Sequence, residues 1–188
     1  MKRIYILLIA LSLMLSTSCK KDKKDADKKT EEITETIEVK KIKATLSPKS
    51  DSKVSGNVVF TEENGVVTMI AIMDGLSPGE HAIHLHEKAD CTSADGKSTG
   101  GHWNPTFTDH GKWGVGEAYH KGDIGNFIAN DKGQATVNFS TDEWCIGCGD
   151  ANKDITGKAV IVHQGVDDFV SQPSGAAGTR ISCAGIIE

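Results

Sequence analysis

The histidines of this chain are the residues whose type and placement are best suited to chemistry. All of them fall within one predicted strand, one strand end and a single long loop, and they are His81, His84, His86, His102, His110, His120 and His163. Imidazole nitrogens are ligands for zinc and copper. A single histidine is more often structural than a ligand, but this confinement favours a metal-binding function.

Strand periodicity defines a first set of ligands. Side chains alternate between the two faces of a strand, so His84 and His86 share one face while Ile83 and Leu85 point toward the core. His163 closes the apolar run AVIVH on a second strand. Three imidazoles on the outer wall of a barrel are suitable ligands for copper or zinc.

A second set lies at the loop that follows, and it comprises His102, His110, His120 and Asp123. Three nitrogens and one carboxylate complete a tetrahedral zinc site without an open position, which is typical of a structural site. Because such a loop has no core of its own, metal binding would supply the energy that orders it.

The remaining histidine is expected to have no metal. His81 lies three residues before His84, so the strand period places it on the opposite face. We predict that His81 is structural and hydrogen-bonds main-chain groups near the Pro78-Gly79 turn.

The elements that must position these residues are short strands. β-Branched runs bounded by turn residues predict eight of them, at 41–46, 53–62, 66–73, 81–87, 123–129, 134–140, 158–163 and 180–187. No helical stretch of three turns separates them, so we predict an all-β sandwich or barrel. Two long connections, at 88–122 and 164–179, are the loops expected to carry function.

Length and charge limit the class of protein. The chain has 188 residues, a formal charge of −5 and 5% aromatic residues. Residues 42–188, the predicted folded domain, carry 11 basic and 19 acidic side chains, a formal charge of −8. Nucleic-acid binding is excluded, because it needs a clustered basic surface or a set of stacking aromatic rings.

The N-terminal segment predicts export. Residues 1–18 have a short basic start, an apolar run too short to span a membrane, and small residues at the end, the plan of a signal peptide. The end resembles a bacterial lipobox, in which Cys19 would be the lipid-modified first residue; the alternative is an ordinary signal peptide with an incidental cysteine. Residues 19–41 then form a lipid-anchor cysteine and a charged flexible spacer. We predict a location in the bacterial cell envelope, with membrane contact only through the anchor.

Four cysteines remain in the predicted domain: Cys91, Cys145, Cys148 and Cys183. An even number in an exported domain indicates disulfides, because the compartments outside the cytoplasm are oxidising. Four cysteines permit three pairings, and the sequence alone does not choose among them.

The ordered motifs HAIHLHEKADC, GGHWNP, HKGDIGN, VIVHQGVDD and GTRISCAG resemble those of the Cu/Zn superoxide dismutases. The resemblance covers residues 42–188 and implies an eight-stranded Greek-key barrel with two long functional loops. It also implies two ligand sets, copper on His84, His86, His102 and His163, and zinc on His102, His110, His120 and Asp123.

The resemblance implies roles for residues around the two ions. His102 would bridge them as a deprotonated imidazole, and Asp167 would hydrogen-bond His84 and His110 and so orient one ligand of each metal. Arg180 matches an arginine at the mouth of the copper channel, and Ser174 a hydroxyl at its rim. Together with His102, Arg180 is expected to be catalytic.

The resemblance also implies one disulfide, Cys91–Cys183, between the long loop and the last strand. The segment WCIGC at 144–148 has no counterpart in the family pattern. A C-x-x-C pair can be a redox pair, part of a metal site or a short-loop disulfide; we predict a Cys145–Cys148 disulfide.

The activity implied is dismutation of superoxide to dioxygen and hydrogen peroxide. Copper would carry the electron, because zinc has no redox change, and His102 would take up a proton when copper is reduced. Lys97, Lys112 and Lys121 are candidates for steering the anion, although each is more typical of an ordinary surface lysine.

Three other functions compete with this one. A non-enzymatic copper- or zinc-buffering module would use the same ligands but would not need Arg180, Asp167 or a bridging His102. A zinc hydrolase is disfavoured because the zinc set leaves no position for water. A purely structural β domain would not need the histidines.

Overall fold

The computed structural model describes residues 38–188, which form eight strands and one short 3₁₀ turn at Lys97–Thr99. The strands are β1 (Lys40–Pro48), β2 (Ser55–Glu63), β3 (Val66–Asp74), β4 (Gly79–His86), β5 (Gly125–Ala129), β6 (Ala135–Thr141), β7 (Ala159–His163) and β8 (Arg180–Gly185). The predicted all-β fold and all eight predicted strands are confirmed. No helix within residues 38–188 is long and apolar enough to cross a membrane.

The start of β1 differs from the sequence-based boundary. The strand begins at Lys40, two residues before the predicted domain start, because Lys40 is paired opposite Glu62 of β2 and its ammonium lies 3.9 Å from the Glu62 carboxylate. The end of the predicted spacer is therefore part of the sheet. The predictions of a signal peptide at 1–18 and of a lipid anchor at Cys19 lie outside the described residues.

The strands form one antiparallel sheet in the order β5-β4-β7-β8-β1-β2-β3-β6. Its edge strands β5 and β6 are also in contact, so the sheet is a nearly closed barrel. The sheet has two halves, β5-β4-β7-β8 and β1-β2-β3-β6, and the chain crosses between them from β3 to β4, from β5 to β6 and from β6 to β7. The connection from β4 to β5 (residues 87–124, the long loop) and that from β7 to β8 (residues 164–179, the short loop) lie on the outside.

The barrel interior is filled by alternate side chains of the strands, as a strand period of two requires. Members of this core include Leu46, Val58, Phe60, Val67, Met69, Ile83, Leu85, Val160, Val162 and Ile186, all nearly inaccessible to solvent. Each aliphatic side chain of this size contributes about 1.5–3 kcal/mol when it is fully buried. On β4 the core therefore takes Ile83 and Leu85, which forces His84 and His86 to the outer face.

Two disulfides are present among the described residues. Cys91–Cys183 joins the long loop to β8 across 92 residues, and Cys145–Cys148 closes a short loop with a sequence separation of 3. Both predicted pairings are confirmed. The first holds the long loop against the barrel wall on which the histidines stand.

Candidate metal centre

The outer face of β4 and β7 brings four histidines together. His84 and His86 of β4, His163 at the end of β7 and His102 of the long loop are buried, and one ring nitrogen from each lies within 4.8 Å of the others. These are the four residues predicted to bind copper, and the structure places all of them in one cluster (the first cluster).

The long loop positions His102 because its main chain pairs with the edge of β4 beyond the end of β5. His86 and His102 form an antiparallel bridge, and the Trp103 amide donates to the Leu85 carbonyl over 2.8 Å. The Leu85 amide in turn donates to the Gly122 carbonyl over 2.9 Å. Only glycine fits at position 122, since a Cβ there would overlap the Leu85 carbonyl oxygen.

The second cluster is formed by the residues predicted to bind zinc: His102, His110, His120 and Asp123. Asp123 lies at its centre, with carboxylate oxygens 2.8 Å from His102 Nδ1, 2.9 Å from His110 Nδ1 and 3.2 Å from His120 Nδ1. Ligands of one tetrahedral zinc ion, each about 2.0–2.1 Å from it, are separated by about 3.3 Å. The spacing of this cluster is therefore close to that of a ligand shell.

The surrounding imidazoles and a main-chain amide keep Asp123 ionised at this buried position. Burial favours the neutral carboxyl, but the three surrounding imidazoles and the His120 amide, which donates to Asp123 Oδ2 over 2.7 Å, hold the pKa of Asp123 well below its ordinary value. A carboxylate must be deprotonated to bind a metal. Asp123 meets that requirement at neutral pH.

Unpartnered nitrogens test whether metals fit these clusters. Six buried ring nitrogens have no hydrogen-bond partner within residues 38–188, one on each clustered histidine: His84 Nδ1, His86 Nε2, His102 Nε2, His110 Nδ1, His120 Nδ1 and His163 Nε2. The Asp123 oxygens near His110 and His120 are not directed as hydrogen-bond acceptors. A buried polar atom without a partner is costly, and ligation of a metal by these nitrogens removes that cost. The residues present therefore fit a copper and a zinc ion.

His81 provides the contrast. It is also buried, but its Nδ1 lies 3.0 Å from the His163 carbonyl oxygen and its Nε2 lies 2.8 Å from the Ser77 carbonyl oxygen. Both nitrogens are thus used in main-chain contacts beside the turn that precedes β4. The predicted structural role of His81 agrees with these contacts.

The two clusters differ in the charges that surround their histidines. In the first, burial and then neighbouring positive groups hold the pKa of His86 and of His163 well below the ordinary value, so both imidazoles are neutral, as metal ligation requires. In the second, burial also opposes protonation, but Asp123 and Asp167 raise the pKa of His110 to about 9. Two buried carboxylates therefore make this second pocket favourable for a cation.

Asp167 connects the clusters. Its Oδ2 is 2.8 Å from His84 Nε2 and its Oδ1 is 2.9 Å from His110 Nε2, so each ring presents its other nitrogen to its own cluster. This is the contact that the resemblance implies. Asn126 fixes the main chain of Asp167 by accepting from its amide over 2.9 Å and donating to its carbonyl over 2.8 Å.

Comparison with known proteins agrees with this arrangement. The sequence model described as copper/zinc superoxide dismutase (SODC) matches residues 54–186. The chain belongs to this family. It is 37% identical over 142 residues to a superoxide dismutase [Cu-Zn] of Caulobacter vibrioides, which covers 73% of this chain and 80% of the relative.

Solved structures support the same assignment. A SOD-like protein from Bacillus subtilis superposes with a TM-score of 0.69 at 25% identity and covers 81% of this chain and 100% of its own. The clock protein EA4 superposes with a TM-score of 0.67 at 32% identity and covers 78% and 94% of the two chains. These similarities match the nearly closed antiparallel barrel described above.

In this member of the copper/zinc superoxide dismutase family, a cavity of about 550 Å³ opens onto the first cluster. Its lining includes His102, His163, Ser174 and Arg180, so the predicted rim residues Ser174 and Arg180 lie where the resemblance places them. Arg180 is half-buried, and its Nη1 donates to the Gly96 carbonyl and to Thr99 Oγ1, each over 3.0 Å. These bonds hold the guanidinium at the cavity.

The three lysines considered for steering lie elsewhere. Lys97 pairs with Asp95 at 3.0 Å, Lys112 lies over the Phe169 ring, and Lys121 pairs with Glu143. Among the described residues that line the cavity, none is a lysine and Arg180 is the sole arginine. The interpretation of these lysines as ordinary surface residues is therefore favoured.

Gln172 is a site residue that the sequence did not reveal. Its Oε1 accepts from the His110 amide over 2.8 Å and its Nε2 donates to the His110 carbonyl over 2.9 Å. The short loop thus holds both the main chain of His110, through Gln172, and its ring, through Asp167. The only local signal is its place in the run QPSG, two residues before Ser174, and the sequence predicted no role for Gln172 itself.

We expect Gln172→Met to weaken zinc binding about 10-fold, the lower end for loss of a group that orients a metal ligand, because it removes both bonds at nearly constant size. Competition with a zinc chelator measures the change. Gln164→Met is the matched control, since Gln164 is exposed in the same loop and its side chain makes no hydrogen bond within the described residues. Equal zinc affinities for the two variants would contradict the role of Gln172.

Proposed function

We propose that this chain is an exported superoxide dismutase that holds copper in the first cluster and zinc in the second, with His102 as a ligand of both. Family membership and the similarity to a superoxide dismutase [Cu-Zn] support the dismutation of superoxide. Two superoxide ions and two protons then give one dioxygen and one hydrogen peroxide.

The position of the His102 ring carries the proposal. Its Nδ1 lies 2.8 Å from Asp123 Oδ1 inside the second cluster, and its Nε2 is buried without a hydrogen-bond partner in the part of the chain that the structure describes. The ring packs against histidines of both clusters, with centroids 4.0 Å from His84 and 5.4 Å from His110. One imidazole therefore separates the two pockets, which supports a shared ligand.

When bound, copper supplies the exchange of one electron in each half-reaction, and zinc contributes positive charge without changing its oxidation state. The chain's own residues determine the rest. Asp167 fixes the ring orientation of His84 and His110, and the neutral imidazoles of His86 and His163 offer lone pairs. His102, flanked by two cations, would be held as an anion, because nearby positive charge favours the deprotonated form.

Arg180 acts on the substrate. Superoxide is a small anion, and the predicted domain has a formal charge of −8, which repels it at long range. Arg180 places a positive charge in the wall of the cavity that leads to the first cluster. A cleft with walls of low dielectric focuses that field toward its mouth.

Location in the cell envelope is part of the proposal. Two disulfides support an oxidising compartment, and residues 1–19 have the pattern of a signal peptide that ends at a cysteine. A lipid-modified Cys19 is expected to incorporate labelled fatty acid in cells, and Cys19→Ser to abolish that incorporation. Equal incorporation by the Cys19→Ser variant would contradict the lipid anchor.

Metal content and superoxide consumption test the function together. We expect one copper and one zinc per chain and rapid, chelator-sensitive superoxide consumption by the loaded protein. His86→Ala should lower copper content alone, His120→Ala zinc content alone, and His102→Ala both. A loaded protein that binds both metals but does not consume superoxide would instead indicate a metal-buffering module, and His102→Ala with normal content of either metal would contradict the shared ligand.

A further inference from the structure

The loop between β6 and β7 carries a disulfide that the metal centre does not use. Cys145 and Cys148 are bonded across a sequence separation of 3, and neither belongs to a histidine cluster or lines the cavity above the first cluster. The other disulfide, Cys91–Cys183, fixes the long loop to β8. The two bonds therefore have different structural settings.

The first difference is accessibility. Cys148 is exposed whereas Cys145 is buried, so a reagent can approach the bond from the side of Cys148. In the other disulfide, Cys183 is buried and packs against the cluster formed with Ala159 and Ile161, while Cys91 is only partly accessible. Exchange requires a thiolate to reach one sulfur of the bond. The exposed Cys148 permits this more readily than either cysteine of the other disulfide.

The second difference is how far the fold depends on the bond. A disulfide stabilises a protein mainly by restricting its unfolded chain, and the effect grows with the length of the closed loop. A separation of 3 residues restricts the unfolded chain far less than one of 92. Opening Cys145–Cys148 therefore removes little of the stability of the barrel.

Hydrogen bonds hold the segment around Cys145–Cys148 independently of its disulfide. Asp154 accepts from the Gly147 amide over 3.0 Å through Oδ1 and from the Gly149 amide over 2.8 Å through Oδ2. The Cys145 amide donates to the Lys153 carbonyl over 2.8 Å, and the Ile146 amide donates to the Glu62 carboxylate, also over 2.8 Å. These contacts keep the two sulfurs together when the bond is open.

One contact also favours the release of Cys148 as a thiolate, which is the second step of the exchange. The Asp150 amide points to Cys148 Sγ with a nitrogen–sulfur distance of 3.5 Å. A main-chain N–H directed at sulfur stabilises the negative charge of a thiolate. Cys148 is thus both the exposed sulfur and the one with a donor in place.

We infer that Cys145–Cys148 is a site of thiol–disulfide exchange with a dithiol. A thiolate of the dithiol attacks Cys148 Sγ, a mixed disulfide forms, and Cys145 leaves as a thiolate that takes up a proton. The second thiol of the dithiol then attacks the dithiol sulfur that is bonded to Cys148. The dithiol becomes a disulfide, and Cys148 is released as a thiolate that takes up a proton. Two electrons pass from the dithiol, which becomes a disulfide, to the cysteine pair, which becomes two thiols.

Graded reduction of the metal-loaded full-length protein tests this. After equilibration with dithiothreitol, acid quenching and alkylation with N-ethylmaleimide, peptide mass spectrometry measures each cysteine separately. We expect half-reduction of Cys145–Cys148 at a dithiothreitol concentration at least 10-fold lower than that for Cys91–Cys183, with near-UV circular dichroism unchanged. A smaller ratio, or loss of the folded signal together with reduction of Cys145–Cys148, would overturn the inference.

Two single variants compare how readily the two sulfurs are reached, because each variant leaves one thiol that must itself approach a disulfide. Cys145→Ser leaves the exposed Cys148 as a thiol, and Cys148→Ser leaves the buried Cys145. Glutathione disulfide is expected to modify Cys148 in the first variant at least 10-fold faster than Cys145 in the second. Equal rates, or faster modification of Cys145, would contradict attack at Cys148, and superoxide consumption by both variants separates this result from a failure of the proposed function.

Discussion

Replacing Gly175 by alanine is expected to lower the superoxide-consuming activity at limiting metal by about 10- to 100-fold. Gly175 lies in the short loop with a φ of +65°, and a Cβ at this position would overlap Asp167 Oδ1 and lie 2.6 Å from His110 Nε2. The added methyl group must therefore displace the contact between these two side chains. Loss of groups that orient metal ligands costs about 10–100-fold in metal affinity or activity, and Asp167 orients one ligand of each cluster.

Steric displacement outweighs backbone strain in this prediction. A non-glycine residue in the left-handed region costs about 1–2 kcal/mol, which a folded domain can tolerate. The overlap is harder to absorb, because Asp167 is fixed by two hydrogen bonds with Asn126, and its Oδ1 also accepts from the Phe169 amide over 2.7 Å. We therefore expect Asp167 to lose its bond to His110 rather than shift as a whole.

Gly65→Ala is the matched control for that argument. Gly65 lies in the turn between β2 and β3, away from both clusters, with a φ of +76°, and within residues 38–188 a Cβ there has no atom within 4 Å. It should show the backbone cost alone, as a modest fall in thermal stability with metal affinity and activity near those of the unmodified protein. Metal titration and superoxide consumption are measured for both variants. Equal metal affinities and equal activities of the two variants would show that Asp167 and His110 adapt to the added methyl group, contrary to the prediction.

The strand periodicity of β4 shows what could be predicted from the sequence. His84 and His86 alternate with Ile83 and Leu85, and alternation is a local property that the strand imposes wherever it packs. The first cluster follows once the outer face of β4 is covered. In the same way, the spacing of Cys145 and Cys148 brings the two within bonding range without help from the rest of the fold.

The residues that the sequence did not reveal depend on contacts between distant segments. Gln172 and Gly175 act on His110, which lies more than 60 residues away in the chain, and nothing in the local sequence of the short loop indicates that approach. Asn126 was visible within the motif HKGDIGN but carried no assigned role. Its function depends on Asp167 lying beside it, which only the packing of the short loop on β5 establishes.

The charge at the cavity also depends partly on composition, which the sequence shows, and partly on contacts between distant segments, which it does not. The negative charge of the domain is a property of composition, but the position of Arg180 relative to the three candidate lysines depends on the fold. Because β8 begins at Arg180 and the long loop offers the Gly96 carbonyl and Thr99 hydroxyl as acceptors, the guanidinium is held at the cavity. The structure therefore leaves one residue as the principal source of attraction for an anionic substrate.

Arg180→Glu is expected to lower kcat/KM for superoxide by about 100-fold at low ionic strength, with both metals retained. A unit charge about 6 Å from the substrate attracts it by about 3 kcal/mol at an effective dielectric constant of 20. Arg180 is only half-buried, so solvent screening reduces this to about 1–2 kcal/mol per unit charge. Reversal changes the charge by two units, and about 2.7 kcal/mol corresponds to a factor of about 100.

Comparison with Arg180→Gln separates charge from structure. Glutamine and glutamate have nearly the same shape and both lose the guanidinium bonds to Gly96 and Thr99, so their difference measures one unit of charge, about 10-fold in kcat/KM. That difference should shrink as salt is raised, because the Debye length falls from about 30 Å at 0.01 M to about 8 Å at 0.15 M. Lys97→Glu makes the same reversal away from the cavity lining and should change kcat/KM by less than about 3-fold. Pulse radiolysis measures these rates. Arg180 would be excluded from substrate attraction if Arg180→Glu kept the unmodified rate at low salt. Equal rates for the glutamine and glutamate variants would exclude it as well.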